Sequence, residues 1–263
     1  MAAFGGSFRT IFPIADIKRD RAAGTGYACP VIKTRLRTVV AALAVCTLPL
    51  CILPCPVAAA RPPVPPLPRD APGPALDAVV TAVPPAKLGL SWHAGCPVPA
   101  SELRLVQMNH WGFDDQVHRG ELVVRQRAVT SLLKVFGQAL QAKFPIRQMR
   151  VMAEFDGNDE AAMAADNTSA FNCRKVTGDP SEVSQHSYGD AVDINTLENP
   201  YVDVNEKVYP AAGAAFLDRS QQAKGMIHPG DVISKAMRAA GWQWGGRWNP
   251  PDYQHFSANG RSA

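Results

Sequence analysis

The chain carries the segment Ser184-Gln-His-Ser-Tyr-Gly-Asp-Ala-Val-Asp193, which is followed some sixty residues later by Asp252-Tyr-Gln-His255. Together these segments supply two imidazoles and two suitably spaced carboxylates. A catalytic zinc site requires three protein ligands, an open position for a water molecule, and a base that accepts a proton from that water. The two segments therefore predict a zinc site of the catalytic type, and a zinc hydrolase is the leading interpretation.

The spacing within each segment suggests how the side chains meet. His186 and Asp193 are seven residues apart, too far for neighbouring positions on one helical face, but Gly189 permits a turn between them. Asp252 and His255 are three residues apart, so His255 can bind a metal while Asp252 faces the same site and accepts a proton. We therefore predict His186, Asp193 and His255 as ligands and Asp252 as the general base. The remaining histidines are expected to be structural or exposed: His93, His110, His118 and His228.

Residues 31–60 have the pattern of a secretory signal. Basic residues at 33–37 precede an apolar run over 39–57 and the small-residue cleavage site Ala58-Ala59-Ala60. We expect cleavage there, although the apolar run is also about long enough for an uncleaved membrane anchor. Residues 1–30 have the features of neither a leader nor a domain, so we expect an upstream extension with translation beginning near Val31.

Removal of the leader changes the charge of the protein. The chain has 27 Lys/Arg and 23 Asp/Glu, a formal charge of +4, and residues 1–60 hold seven of the basic and two of the acidic residues. The remainder has 20 basic and 21 acidic side chains, a formal charge of −1. We therefore expect no nucleic-acid partner. We expect a monomer that contacts a membrane only through an uncleaved leader.

The cysteine count predicts one disulfide. Four of the six cysteines lie in the leader region, which leaves Cys96 and Cys173. Two cysteines in an exported domain most simply bond to each other, because export favours oxidation. The alternative, in which Cys173 is a nucleophile or a ligand, is weaker because the metal set is complete without it.

The rest of the chain divides into a linker and a domain. Residues 61–87 form a proline-rich linker, with nine prolines in 61–85, and one folded domain is expected over 88–263. The apolar spacing indicates a small α+β domain. It predicts strands at Leu103–Met108, Ile146–Phe155 and Ala191–Asn195, helices at Glu121–Lys143 and Asp231–Ala240, and strand and loop over Trp242–Phe256.

The two opening segments also match a family signature. Ser-x-His-x-x-Gly-x-Ala-x-Asp, with a later carboxylate three residues before a His, resembles the zinc D-alanyl-D-alanine carboxypeptidase and L-alanyl-D-glutamate endopeptidase family. The likeness extends through Asp166–Arg174, Asn199–Tyr201 and Gly241–Gly246 and covers the chain from about residue 90 onward. It implies a secreted or cell-envelope bacterial enzyme that cleaves peptidoglycan peptides and uses Zn²⁺.

The resemblance also implies a fold and residue roles. The expected fold is a small antiparallel sheet flanked by helices with the zinc site at the sheet, the hedgehog-like zinc peptidase fold. Matched by position, His186, Asp193 and His255 are the ligands, Arg174 binds substrate and stabilises an oxyanion, and Ser184 contributes to substrate binding. A guanidinium suits that role because it binds a carboxylate through two parallel hydrogen bonds.

One departure from the family pattern bears on the reaction. Carboxypeptidase members usually have Glu three residues before the last His, whereas this chain has Asp252, as in the endopeptidase subgroup. Endopeptidase action is therefore favoured over D,D-carboxypeptidase action. Two alternatives stay open: a zinc hydrolase of a small D,D-dipeptide, and a non-catalytic wall-binding domain, which a closed four-ligand site would favour. The tryptophans at 242, 244 and 248 are expected in packing first and in a cleft wall second.

Overall fold

The computed structural model describes residues 73–258. The predicted upstream extension, the signal and most of the linker lie outside the described residues. Within 73–258, none of the helices has both the length and the apolar character needed to cross a membrane. The described residues form one mixed domain of short helices and small antiparallel sheets, which confirms the predicted α+β class.

The strands are β1 Val79–Ala82, β2 Leu103–Trp111, β3 Val117–Arg125, β4 Lys175–Val176, β5 Asp179–Val183, β6 Ala191–Asp193, β7 Tyr201–Val202, β8 Val208–Tyr209, β9 Gln243–Trp244 and β10 His255–Ser257. The α-helices are α1 Pro85–Leu88, α2 Val129–Gln141, α3 Asp159–Ala164 and α4 Val232–Ala239. Short 3₁₀ segments occur at Gly89–Ser91, Ala100–Glu102, Gln126–Ala128, Met152–Phe155, Gln185–Tyr188, Ala211–Phe216 and Gly245–Arg247.

The largest sheet has the order β1-β2-β3, with β2 and β3 paired antiparallel over nine residues each. Both faces of β2 are buried. Val106 and Met108 pack into the main core with helices α2 and α4, whereas Leu103 and Leu105 pack into a second core with Phe171. Because successive side chains of a strand point to opposite faces, this sheet separates the two apolar clusters.

The helix predicted over Glu121–Lys143 begins later than expected. Residues 121–125 belong to β3, and the α-helix runs only from Val129 to Gln141. The prediction failed there because Leu122, Val123 and Val124 are all buried but face different clusters: Leu122 and Val124 face the main core and Val123 faces the second. Apolar residues buried on both faces of a strand lack the alternation that identifies a strand.

The strand predicted over Ile146–Phe155 is also wrong. This segment is extended but forms only isolated bridges near residues 145 and 149, and then a 3₁₀ turn. Two of its backbone amides donate to side chains and not to a neighbouring strand: Arg147 N to Asn195 Oδ1 at 3.0 Å and Arg150 N to Asn167 Oδ1 at 3.0 Å. Apolar pattern alone does not reveal such side-chain acceptors.

A second small sheet has the order β6-β10-β9. The predicted strand at Ala191–Asn195 is confirmed as Ala191–Asp193, and it ends before Asn195, whose φ is +47°. The predicted helix over Asp231–Ala240 is confirmed as α4, with Asp231 as its N-cap accepting the Ser234 amide at 2.7 Å. The side chains of Val192 and Phe256 from this sheet enter the main core, which fixes the sheet against the helices.

The folded domain begins before the predicted boundary at residue 88. Strand β1, which lies within the predicted linker, pairs with β2 from Val79↔Gln107 to Ala82↔Arg104. Its four residues are exposed, so it is an edge strand held mainly by backbone hydrogen bonds. Only the more N-terminal part of the predicted linker remains a candidate spacer.

The predicted disulfide between Cys96 and Cys173 is present, with a Cα–Cα distance of 5.9 Å and a sequence separation of 77. Both residues lie beside the second core, where Cys173 packs against it. The bond ties the segment before β2 to the segment immediately before Arg174.

Replacing both cysteines by serine should lower the free energy of unfolding by about 4 kcal/mol, because the unfolded chain then gains the freedom of a large loop. Denaturant unfolding of the secreted protein and of the Cys96→Ser/Cys173→Ser variant measures this difference. Equal stability of the two proteins, or two titratable thiols in the unreduced wild type, would contradict the prediction.

Candidate functional site

The first histidine of the signature is fixed by the turn that follows Ser184. His186 lies in the 3₁₀ turn Gln185–Tyr188, and the Ser184 hydroxyl accepts the His186 amide at 3.3 Å. Gly189 ends this turn with φ +70°, and a Cβ at this position would lie 2.8 Å from the Arg125 amide nitrogen. Glycine is therefore required both for the backbone angle and for the close approach to β3.

The other two predicted ligands face each other across a strand pair. Asp193 ends β6 and His255 begins β10, and their Cα atoms are direct partners in the antiparallel register. Side chains of directly opposed residues lie on the same face of a sheet and in reach of each other. The β6–β10 pairing therefore brings together residues that are 62 positions apart in the sequence.

The three side chains converge at one point. His186 Nε2 lies 3.0 Å from Asp193 Oδ2 and 3.1 Å from His255 Nδ1, and His255 Nδ1 lies 3.0 Å from Asp193 Oδ1. The other nitrogen of His186, Nδ1, contacts the carbonyl of Ala170 at 2.5 Å. A carbonyl only accepts, so Nδ1 carries the hydrogen and Nε2 directs its lone pair towards the other two side chains when the ring is neutral.

Burial and charge set the protonation states in this cluster. Burial acts to raise the pKa of Asp193, but the two imidazoles lower it well below its usual range, so Asp193 is ionised. Burial lowers the pKa of His255 and keeps that ring neutral. Burial also opposes protonation of His186, yet the nearby Asp193 carboxylate raises its pKa. The buried Asp193 carboxylate thus favours a positive charge close to itself.

These features fit a metal ion. The three donor atoms belong to residues whose ligand atoms all lie within 4.8 Å of one another, and all three residues are buried. Zinc bonds of about 2.0–2.1 Å in a tetrahedral arrangement separate neighbouring donors by about 3.3 Å, close to the observed spacing. A divalent cation would also take the place of the proton that the carboxylate attracts. The donor set is therefore suitable for zinc, with His255 binding through Nδ1.

The cluster opens into a cavity of about 470 Å³. Asp252 and Arg174 line this cavity together with the three donors. Both residues were predicted to belong to the site. Asp252 belongs to the loop before β10, and its amide donates to the Gly245 carbonyl at 2.9 Å. A Cβ at Gly245 would lie 2.7 Å from the Asp252 carbonyl oxygen, so glycine lets the Asp252 loop pack closely here.

Arg174 has a partner that the sequence did not reveal. Its Nη2 lies 2.7 Å from Asp159 Oδ2, and both side chains are largely buried, with 18% and 10% exposed. The Thr177 hydroxyl donates to the same carboxylate oxygen at 2.8 Å. Arg174 Nε is buried without an acceptor among the described residues, in a side chain that lines the cavity. Asp159 was missed because it begins helix α3, in a region where the sequence suggested no site.

Ser184, the second predicted substrate-binding residue, also lines the cavity, but it is buried and its hydroxyl accepts the His186 amide. The other group with metal-binding atoms, His93, Cys96 and Cys173, contains two sulfurs that are bonded to each other. His110 and His118 stack on each other in the β2–β3 pair, away from the cavity lining. The structure thus brings the three predicted ligands, His186, Asp193 and His255, together at this cavity.

In this site two histidines and an aspartate meet beside a cavity that a further carboxylate also lines. Residues 177–258 match the family model described as D-alanyl-D-alanine carboxypeptidase. The match covers less than half of the chain and confirms the predicted resemblance over this segment. The segment contains His186, Asp193, Asp252 and His255, whereas Arg174 and Asp159 precede it. The comparisons with curated proteins and with solved structures found no match.

We expect Asp159 to position Arg174. Asp159→Asn removes the charge partner of the guanidinium but keeps an acceptor for Thr177, so kcat/KM for peptide cleavage should fall about tenfold, a loss of about 1.4 kcal/mol. The metal content of Asp159→Asn should be unchanged. Asp159→Glu should recover part of the lost kcat/KM, mainly through a lower KM. Steady-state kinetics with metal analysis tests this, with the exposed neighbour Glu160→Gln as the matched control. Equal kcat/KM in Asp159→Asn and Glu160→Gln would contradict the positioning role.

Proposed function

We propose that the chain is an exported zinc peptidase that hydrolyses peptide bonds in bacterial peptidoglycan stem peptides. The observation that carries this proposal is the convergence of His186, Asp193 and His255 at one wall of a cavity that Asp252 also lines. The family match over residues 177–258 supports peptidase chemistry on a cell-wall peptide. The predicted leader supports export.

In this proposal His186, Asp193 and His255 hold the zinc ion. When bound, zinc would act as a Lewis acid towards the scissile carbonyl and make a water molecule a better nucleophile at neutral pH. The backbone carbonyl of Ala170 holds the His186 ring in the tautomer that leaves Nε2 for the metal. The pairing of β6 with β10 holds the other two donors in place.

Asp252 is proposed to move the proton. Its carboxylate would accept a proton from the attacking water and deliver it to the leaving amine nitrogen, as general acid–base catalysis requires. The backbone of Asp252 is held from two sides, by the Gly245 carbonyl and by a bridge to Tyr201 on β7. This anchoring restricts where the short aspartate side chain can reach, which matters because it lacks one methylene of the glutamate that carboxypeptidase members carry.

Arg174 is proposed to bind the substrate. Two of its nitrogens are already engaged, Nη2 by Asp159 and Nη1 by the Lys175 carbonyl at 2.9 Å, so the guanidinium has a fixed orientation. In this proposal Nε–H and the second hydrogen of each Nη would donate to a substrate carboxylate or to an oxyanion that develops in the transition state. Because these contacts already order the Arg174 side chain, little further conformational entropy is lost when it binds the substrate.

Endopeptidase action is the first candidate, because the chain has the Asp252-Tyr-Gln-His255-Phe256 ending of that subgroup. D-alanyl-D-alanine carboxypeptidase action is the second candidate, favoured by the description of the matching family. A wall-binding domain with structural zinc is disfavoured, because the donor set has three members and faces a cavity, whereas structural sites are closed by four ligands.

The general base gives the sharpest test. Asp252→Asn should lower the rate of stem-peptide cleavage by about two to four orders of magnitude while zinc binding and fold are retained. Asp252→Glu should retain more activity than Asp252→Asn because it restores the carboxylate. The measurement is digestion of purified peptidoglycan by each zinc-loaded protein, with and without a chelator, followed by mass spectrometry of the released termini.

The termini identify the bond that is cut and so separate the two candidates. Asp156→Asn is a matched control, since this exposed aspartate lies outside the cavity. Equal rates for wild type and Asp252→Asn would remove Asp252 from the mechanism. Absence of chelator-sensitive cleavage by the wild type would overturn the proposed function.

A further inference from the structure

A second cavity, of about 300 Å³, adjoins the proposed catalytic cavity. The two cavities share two lining residues, Arg247 and Trp248, so they adjoin each other at these side chains. Both shared residues belong to the turn that follows strand β9. The Gly245 carbonyl of this turn accepts the Trp248 amide at 3.0 Å and the Asp252 amide at 2.9 Å. The wall between the cavities is thus built on the same backbone group that anchors the proposed base.

The second cavity has a rigid aromatic lining. Trp244 stacks on Phe256 with ring centroids 6.1 Å apart and planes at 13°, and its indole nitrogen donates to the Tyr253 carbonyl at 2.8 Å. Trp242 is buried to 5% exposure and packs into the main core. These rings are therefore held by the core on one side and contribute a preformed apolar surface to the cavity on the other.

Two arginines give this cavity its charge. Arg238, near the end of helix α4, and Arg247 both line it, and both are exposed. Neither forms an ion pair with a carboxylate of residues 73–258, unlike Arg125, Arg127, Arg147, Arg150 and Arg174, which all do. A position near a helix C-terminus accounts for a cation at 238 but not for the one at 247. Two cations without carboxylate partners beside an aromatic surface favour a ligand that brings its own carboxylate.

We propose that this second cavity is an extension of the substrate cleft that binds a carboxylate-bearing segment of the peptide substrate, remote from the bond that is cut. The proposal rests on the proposed function, because it takes the first cavity as the place of cleavage. Arg238 and Arg247 would bind the carboxylate through charge-assisted hydrogen bonds. The tryptophan surface would pack against the aliphatic part of the same segment. Because Arg247 and Trp248 line both cavities, one extended peptide that crosses these two side chains would contact both.

The test compares two matched peptides on the zinc-loaded full chain. The first carries a free carboxylate on a residue at least two positions away from the bond that is cut in the cleavage assay, and the second carries a carboxamide in its place. Both are N-methylated at their backbone amides to prevent cleavage, and intrinsic tryptophan fluorescence reports their dissociation constants. The free carboxylate should bind about tenfold more tightly than the carboxamide in the wild type, and Arg238→Gln should remove this preference. Arg238→Lys should retain part of it, because the charge remains.

Lys235→Gln is the matched control, since it removes one exposed cation of the same helix outside both cavities. Equal affinity of the two peptides for the wild type, or an Arg238→Gln preference equal to that of Lys235→Gln, would overturn the proposal. Cleavage of the corresponding unmethylated peptides is measured in parallel. Cleavage without a carboxylate preference would overturn this inference alone, whereas a binding preference without cleavage would overturn the proposed function and leave the subsite.

Discussion

The antiparallel pairing of β6 with β10 is the interaction on which the site depends. It places Asp193 opposite His255 and buries a carboxylate that would be costly to bury alone. The cost is offset by two imidazoles within 3.0 Å of the carboxylate oxygens. The same strand pair sends Val192 and Phe256 into the main core, so the apolar packing of the domain and the geometry of the donor set are fixed together.

The other residues of the site lie on turns and loops that pack closely against neighbouring backbone. The turn that carries His186 is packed on β3 through Gly189, and the loop that carries Asp252 is packed on the Gly245 turn. Arg174 follows the disulfide-bonded Cys173 and is oriented by Asp159. In the proposed function, groups held in this way would need little reorganisation when substrate arrives, which is the condition for electrostatic stabilisation of a transition state.

The sequence predicted the donor set better than the elements around it. His186, Asp193 and His255 could be found because a metal site requires particular residue types, and Gly189 and Asp252 because their spacing has a stereochemical meaning. Asp159 could not be found, because its role depends on tertiary proximity to Arg174. The helix start and the strand at 146–155 were wrong because Leu122 to Val124 are buried on two faces and because asparagine side chains replace a strand ladder.

The central claim is that His186, Asp193 and His255 together bind one zinc ion. The most direct test is metal analysis of the purified secreted protein and of its Asp193→Asn variant after equilibration with zinc, with His228→Ala as a control outside the cavity lining. We expect one zinc per wild-type chain and per His228→Ala chain. Asp193→Asn should lose most of its zinc because the carboxylate that neutralises the cation is gone. Stoichiometric zinc in Asp193→Asn, or none in the wild type, would contradict the account.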